Sequence, residues 1–181
     1  MGIKSNRTIA SYFNRFGATG LDAVTPAPPP PVYTEATGGF ISDYTDSGTH
    51  YRAHIFTSSG AFVVSQVGDG TPTGGPSDVD TLVVAGGAGG AGAQNGGGGG
   101  GGGGAGGFRT KTGIPVSVSS YTVTIGGGGA AGDFNFPGGA ASNSVFNPSG
   151  SENTTKITSS AGGAGAKAGN GADGGAGGGA A

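Results

Sequence analysis

The stretch VDTLVVAGGAGGAGAQNGGGGGGGGGAGGFR, residues 79–109, joins an aliphatic run to a glycine tract with nine consecutive Gly at 96–104. The same order returns in YTVTIGGGGAAG, residues 121–132. There Tyr121, Val123 and Ile125 share one face of an extended segment and Thr122 and Thr124 the other, the period-two pattern of a half-buried strand. A loose glycine tether has no need of regular strands between its tracts, so the tracts read as part of the fold. Ordered glycine has a known solution. Polyproline II geometry has three residues per turn, rises about 3.1 Å per residue and points its N–H and C=O groups outward. Chains without side chains in that form can lie side by side and bond to one another. Nine Gly would span roughly 28 Å at that rise. Ordering each backbone residue costs about 1–2 kcal/mol, and glycine loses the most freedom, so many mutual hydrogen bonds are needed. Residues 86–107 and 162–179 are therefore predicted to be polyglycine helices. Gly96, Gly97, Gly98, Gly99, Gly100, Gly101, Gly102, Gly103 and Gly104 are the predicted packing residues.

Working outward, FISDYTD (40–46), YRAHIFT (51–57) and AFVVSQV (61–67) alternate or carry β-branched residues, with a turn at Ser58, Ser59 and Gly60. The loop GDGTPTGGPSD (68–78) separates them from VDTLVVA. After the long tract come GFRTKTG, IPVSVSS and YTVTIG, then short strands around SVF (144–146) and TKITSS (155–160). The fold class that follows is mainly β: an antiparallel β-sandwich with packed polyglycine II helices, over residues 34–181. Its predicted core is Phe56, Phe62, Val64, Leu82, Val84, Tyr121, Val123 and Ile125.

Ahead of it stand two smaller segments. In residues 1–24, Ile9, Tyr12, Phe13 and Phe16 form an apolar stripe at helical spacing, too short to stand alone. Residues 25–33, TPAPPPPVY, read as a stiff extended spacer, because Pro28, Pro29, Pro30 and Pro31 fix φ and donate no hydrogen bond. Such an arm gains stability by binding elsewhere, in a neighbour's groove or along its sheet. Stripe and spacer together are the predicted assembly arm.

Composition excludes several classes. The formal net charge is −2 with only 10% charged residues, which leaves no basic surface for phosphates and argues against nucleic acid. There is no Cys, so neither disulfides nor thiolate metal sites contribute, and association becomes the expected source of stability. The longest aliphatic runs fall far short of the roughly 20 residues that span a bilayer, so membrane insertion is not expected. No apolar stretch of a secretory signal is read in the first 20 residues, and the expected course is synthesis in the cytoplasm and release to a virion or extracellular site.

Motifs that carry chemistry are weak. His50 and His54 would share a helix face, but HYRAHIF alternates as a strand, where four residues span about 13 Å, too far for one ion. Asp43 with Asp46, and Asp78 with Asp80, lack the spacing of a calcium loop, and GGGGAGGFRT leads into a strand, not the helix of a phosphate-binding loop. No catalytic residue, metal site or cofactor is assigned. The Asn6 and Asn153 triplets match the glycosylation pattern, which matters only in a secretory pathway.

YRAHIFTSSGAFVV, then the 79–109 stretch, then YTVTIGGGGAAG resemble the glycine-rich domain of tail-fibre and other virion proteins of bacteriophages, including cyanophages, over about residues 50–165. MGIKSNRTIASYFNRFGATG with its Pro-rich sequel is similar to the N-termini of phage structural proteins. The architecture also resembles the glycine-rich region of anaplastic lymphoma kinase receptors, a jelly roll carrying polyglycine helices, without its cysteines, and the tip adhesins of T-even-type phages. The resemblance implies a jelly-roll-like sandwich and a non-enzymatic structural subunit of a fibre or virion appendage. Homo-oligomers or a helical fibre, other virion proteins and a host surface glycan are the partners it implies. Two alternatives stand beside it: a receptor-binding adhesin for a host polysaccharide or protein, and a microbial surface fibre. With no Trp and only five Tyr the chain is short of aromatic platforms, which favours structure over recognition, although Tyr33, Tyr44 and Phe134 to Phe136 offer a binding edge.

Overall fold

The computed structural model describes residues 30–70, 74–96, 98–148, 156–167 and 172–174. Among them every regular element is a strand. The chain divides at Pro31, and the unit Val32–Ala181 holds all nine strands. In chain order these are β1 (Glu35–Thr37), β2 (Phe40–Asp46), β3 (Thr49–Ile55), β4 (Gly60–Gln66), β5 (Asp78–Val84), β6 (Phe108–Pro115), β7 (Ser119–Thr124), β8 (Ser144–Pro148) and β9 (Ile157–Ser159). Every pairing is antiparallel. A five-stranded sheet runs β1-β4-β7-β8-β9, and β2-β3 and β5-β6 form two-stranded sheets. The chain is mainly β, as its alternating apolar runs predict.

The core forms where strand alternation turns one row inward. Phe62 and Val64 of β4, Tyr121 and Val123 of β7, Phe146 of β8 and Ile157 of β9 are buried in one cluster with Ile114 of β6 and Val116 just after it. The Tyr121 and Phe146 rings stack 5.7 Å apart. Tyr121 carries its hydroxyl to the edge of the core, where it accepts from the Ser117 N–H at 2.7 Å and donates to the Ser117 carbonyl at 3.2 Å. One ring therefore fills the core and ties the bend before its own strand. Phe56 and Ile125 pack half-buried against this cluster.

Two core expectations are corrected. Leu82 and Val84 are 58% and 52% exposed. Their strand is apolar on both faces, and the inward row is Val79 and Val83, which pack on the core. An unbroken run such as Leu82 to Ala85 does not reveal its inner face. IPVSVSS also differs from expectation: Ile114 and Pro115 finish β6, and the next strand begins only at Ser119. Strand β1 answers to no alternating run; three residues suffice because β4 lends it a partner, with Ala36 opposite Val64.

β2 and β3 form a hairpin in unbroken register from Phe40↔Ile55 to Asp46↔Thr49. Its two-residue turn places Ser47 at φ 50° and Gly48 at φ 83°. Two positive φ values match the primed turn whose twist suits a hairpin, and glycine occupies the second at no steric cost.

Candidate functional site

The glycine tracts are ordered by backbone bonds that advance three residues at a time. The N–H groups of Ala85, Ala88, Ala91 and Gln94 donate to the carbonyls of Gly107, Gly104, Gly101 and Gly98, at 2.8–3.0 Å. One residue further on, Gly86, Gly89 and Gly92 donate to Ser142, Gly139 and Phe136. The carbonyls of the remaining set, Gly87, Gly90 and Ala93, accept from Gly129, Gly132 and Asn135. A fourth neighbour donates from Gly162 and Gly165 to Gly86 and Gly89. Segment 85–94 thus lies inside a bundle of extended segments, bonded on successive sides by successive residues. Segment 160–167 is shared as well: Ser160, Gly163 and Ala166 accept from Gly107, Gly104 and Gly101.

Close approach explains which positions must be glycine. A β-carbon on Gly89 would overlap the Ala130 carbonyl oxygen, and one on Gly86 or Gly92 would overlap the carbonyl of Gly127 or Asp133. On the return segment, Gly100, Gly103 and Gly106 press against the carbonyls of Ala91, Ala88 and Ala85 in the same way. Rows one step away are free: nothing lies within 4 Å of a β-carbon on Gly99 or Gly102. The nine consecutive glycines are therefore unequal. Gly98, Gly101 and Gly104 accept lattice bonds, Gly100 and Gly103 make the close approaches, and Gly96, Gly99 and Gly102 face open space and are not packing residues. Gly97 lies outside the described residues. The alanine spacing at 85, 88 and 91 is the sequence signal of this three-residue step, since methyl groups fit only on a permitted row.

Of the predicted assembly arm, Ile9, Tyr12, Phe13, Phe16, Pro28 and Pro29 lie outside the described residues, while Pro30 and Pro31 are exposed and in no regular element.

A second feature is a groove of about 740 Å³ between the β2-β3 hairpin and the start of β5. Register puts Ile41, Asp43 and Thr45 on one face of the hairpin opposite His54, Arg52 and His50. Arg52 donates twice to Asp43, from Nε at 2.7 Å and from an Nη at 2.8 Å. This pairing holds the Asp43 carboxyl below its ordinary range and raises the guanidinium, chiefly through the hydrogen bond itself. His54 Nδ1–H donates to the Gly38 carbonyl at 2.8 Å, and the ring meets Phe62 edge-on at 5.1 Å. That bond leaves Nε2 as the acceptor of the neutral imidazole. His50 Nδ1 lies 2.9 Å from Thr45 Oγ1. Each histidine is thus held by its own local partner. Among the described residues no three His, Asp or Glu side chains come together as ion ligands.

The opposite wall is the start of β5, Asp78 to Asp80, beside a register break in which Val79 and Thr81 face Ile114 and Lys111, so that the extra residue belongs to β6. Asp80 is held by the Gly113 N–H at 2.9 Å. On the hairpin's other face Tyr44 and Tyr51 stack 5.2 Å apart and also line the groove; Phe40 and Ile55, exposed like them, pair farther along the strands. Sequence reading placed Tyr44 on a binding edge but not with Tyr51, because their pairing depends on the turn at Ser47 and Gly48.

Compared with known proteins, the chain matches no curated protein and no solved structure. A model of a glycine-rich domain matches residues 57–181, which takes in β4 to β9 and every glycine segment of the bundle, so the chain belongs to that glycine-rich domain family.

Proposed function

We propose that this chain is a non-enzymatic structural subunit that assembles with copies of itself into a fibre or virion appendage, as a β-sandwich carrying a polyglycine II bundle. The observation that carries the reading is the three-residue hydrogen-bond step through segments 85–94, 98–107, 127–142 and 160–166. Such a bundle gives stiffness with few side chains and holds few groups able to do chemistry. Self-association is supported by the outer face of β5-β6, where Val84 pairs with Phe108 beside Leu82 and all three are more than half exposed. An uncovered sheet normally turns polar residues to water. Placement in a phage virion rests on the resemblance carried by residues 51–64, 79–109 and 121–132, and the arm of residues 1–24 is assigned the intersubunit contact.

The test is assembly itself. Full-length protein is expected to form oligomers or filaments by electron microscopy and light scattering, and deletion of residues 1–24 is expected to abolish them while the β circular-dichroism signal stays. A full-length chain that remains monomeric at high concentration refutes the proposal. Unchanged assembly after the deletion moves the interface from the arm to the β5-β6 face.

A further inference from the structure

We propose that the groove between the β2-β3 hairpin and β5 binds a neutral saccharide. Its charge is unbalanced. Asp43, Asp78 and Asp80 stand against the single guanidinium of Arg52, which is already engaged by Asp43. A phosphate, sulfate or uronate would meet uncompensated carboxylates there, and like-charge contacts oppose binding. A hydroxyl-rich neutral ligand meets what it needs. Asp78 and Asp80 carry carboxylate oxygens that accept strong hydrogen bonds from hydroxyl donors.

An aromatic platform stands at the same groove. Tyr33 is 57% exposed, and its Cδ1 lies 2.9 Å from where a β-carbon on Gly75 would sit, so the ring is seated on the backbone of that glycine. The segment behind it is fastened: Val32 O accepts from Asp69 N at 3.2 Å and from Gly75 N at 3.0 Å, and Gln66 Nε2 donates to Tyr33 O at 2.9 Å. A fixed ring with an open surface is a place to stack the C–H face of a pyranose, because the negative ring face attracts those hydrogens. Stacking surface, carboxylate acceptors and an open groove together suit one or more sugar units. The proposal does not depend on whether copies of the chain assemble.

Saturation-transfer difference NMR on the full-length protein tests it, since the method tolerates large assemblies. The probes are neutral oligosaccharides of glucose, galactose, mannose and N-acetylglucosamine, with a uronate tetrasaccharide as the acidic control. At up to ~10 mM ligand, which covers dissociation constants near 1 mM, at least one neutral probe is expected to give transfer and the uronate none. Tyr33→Ala is expected to weaken that binding at least ~10-fold, about 1.4 kcal/mol, Tyr33→Phe to retain it, and Asp78→Asn to weaken it with circular dichroism unchanged. No transfer to any neutral probe overturns the proposal. Binding indifferent to both Tyr33→Ala and Asp78→Asn, or stronger transfer to the uronate, overturns it too.

Discussion

Strands β4, β7 and β8 and the glycine bundle solve the same problem by opposite means. In the strands, side chains meet: Phe62, Tyr121 and Phe146 lie with ring centroids 5.7–6.4 Å apart and exclude water from one another. In the bundle, backbones meet, and whatever would stand between them has been removed, as Gly89 shows against Ala130. The first region draws its stability from apolar area. The second offsets the large entropy of ordering glycine with hydrogen bonds made on several sides of a segment. A substitution is therefore judged by different rules in the two regions. The core punishes the loss of atoms and the bundle punishes their addition.

The largest effect is expected from adding atoms. Gly89→Val sets a branched side chain against the Ala130 carbonyl in a buried segment. The bundle must open to admit it, and the expected destabilisation exceeds the roughly 4–5 kcal/mol that marks an exceptional single substitution. Gly102→Ala is its partner experiment, because that row has open space. There the methyl group is expected to stabilise by about 0.4–1 kcal/mol through the unfolded chain. Urea melts of both variants measure this, and similar behaviour of the two would break the row distinction.

Removing atoms comes next. Ile114 has no exposed surface, so Ile114→Ala is expected to cost about 2–5 kcal/mol. Leu82→Ala, on the outer face of the neighbouring strand, is expected to stay within about 0.5 kcal/mol in dilute monomer. A cost above ~2 kcal/mol for Leu82→Ala would mean that its face is covered in solution.

The smallest effect belongs to the exposed hairpin. Asp43 has its pKa lowered by Arg52, so its contribution is present above the ordinary carboxylate pKa and disappears as pH falls through the lower folded value. Because the pair is open to water, Asp43→Asn is expected to leave global stability almost unchanged and to remove only this acid-side dependence. Amide exchange of β2 and β3 between neutral and acidic pH checks it.

Much of this contrast was legible in the residues. Tyr121 and Val123 alternate with threonine, so their inward face could be named from the sequence. Phe62 and Val64 could be named as well, although Val63 between them is also apolar. Leu82 and Val84 could not, because Val79 and Val83 compete for the inside and only tertiary pairing chooses. The glycine run hides its rows even better: nine identical residues carry no phase, and the phase is written in Ala85, Ala88 and Ala91 instead. The groove was illegible because its walls come from residues 33, 43–54 and 78–80, shaped by a turn with positive φ and an extra residue in β6 opposite β5. Neither leaves a pattern that periodicity detects.

The bundle also bears on how the molecule meets temperature. Unfolding a side-chain core exposes apolar surface and raises the heat capacity, whereas exposing peptide groups lowers it. A region such as 85–107, which hides backbone more than hydrocarbon, adds less than the usual ~12–15 cal/mol/K per residue. With that smaller increment the free energy of unfolding curves less with temperature, so the glycine-rich half resists cold better than a hydrocarbon core of equal strength.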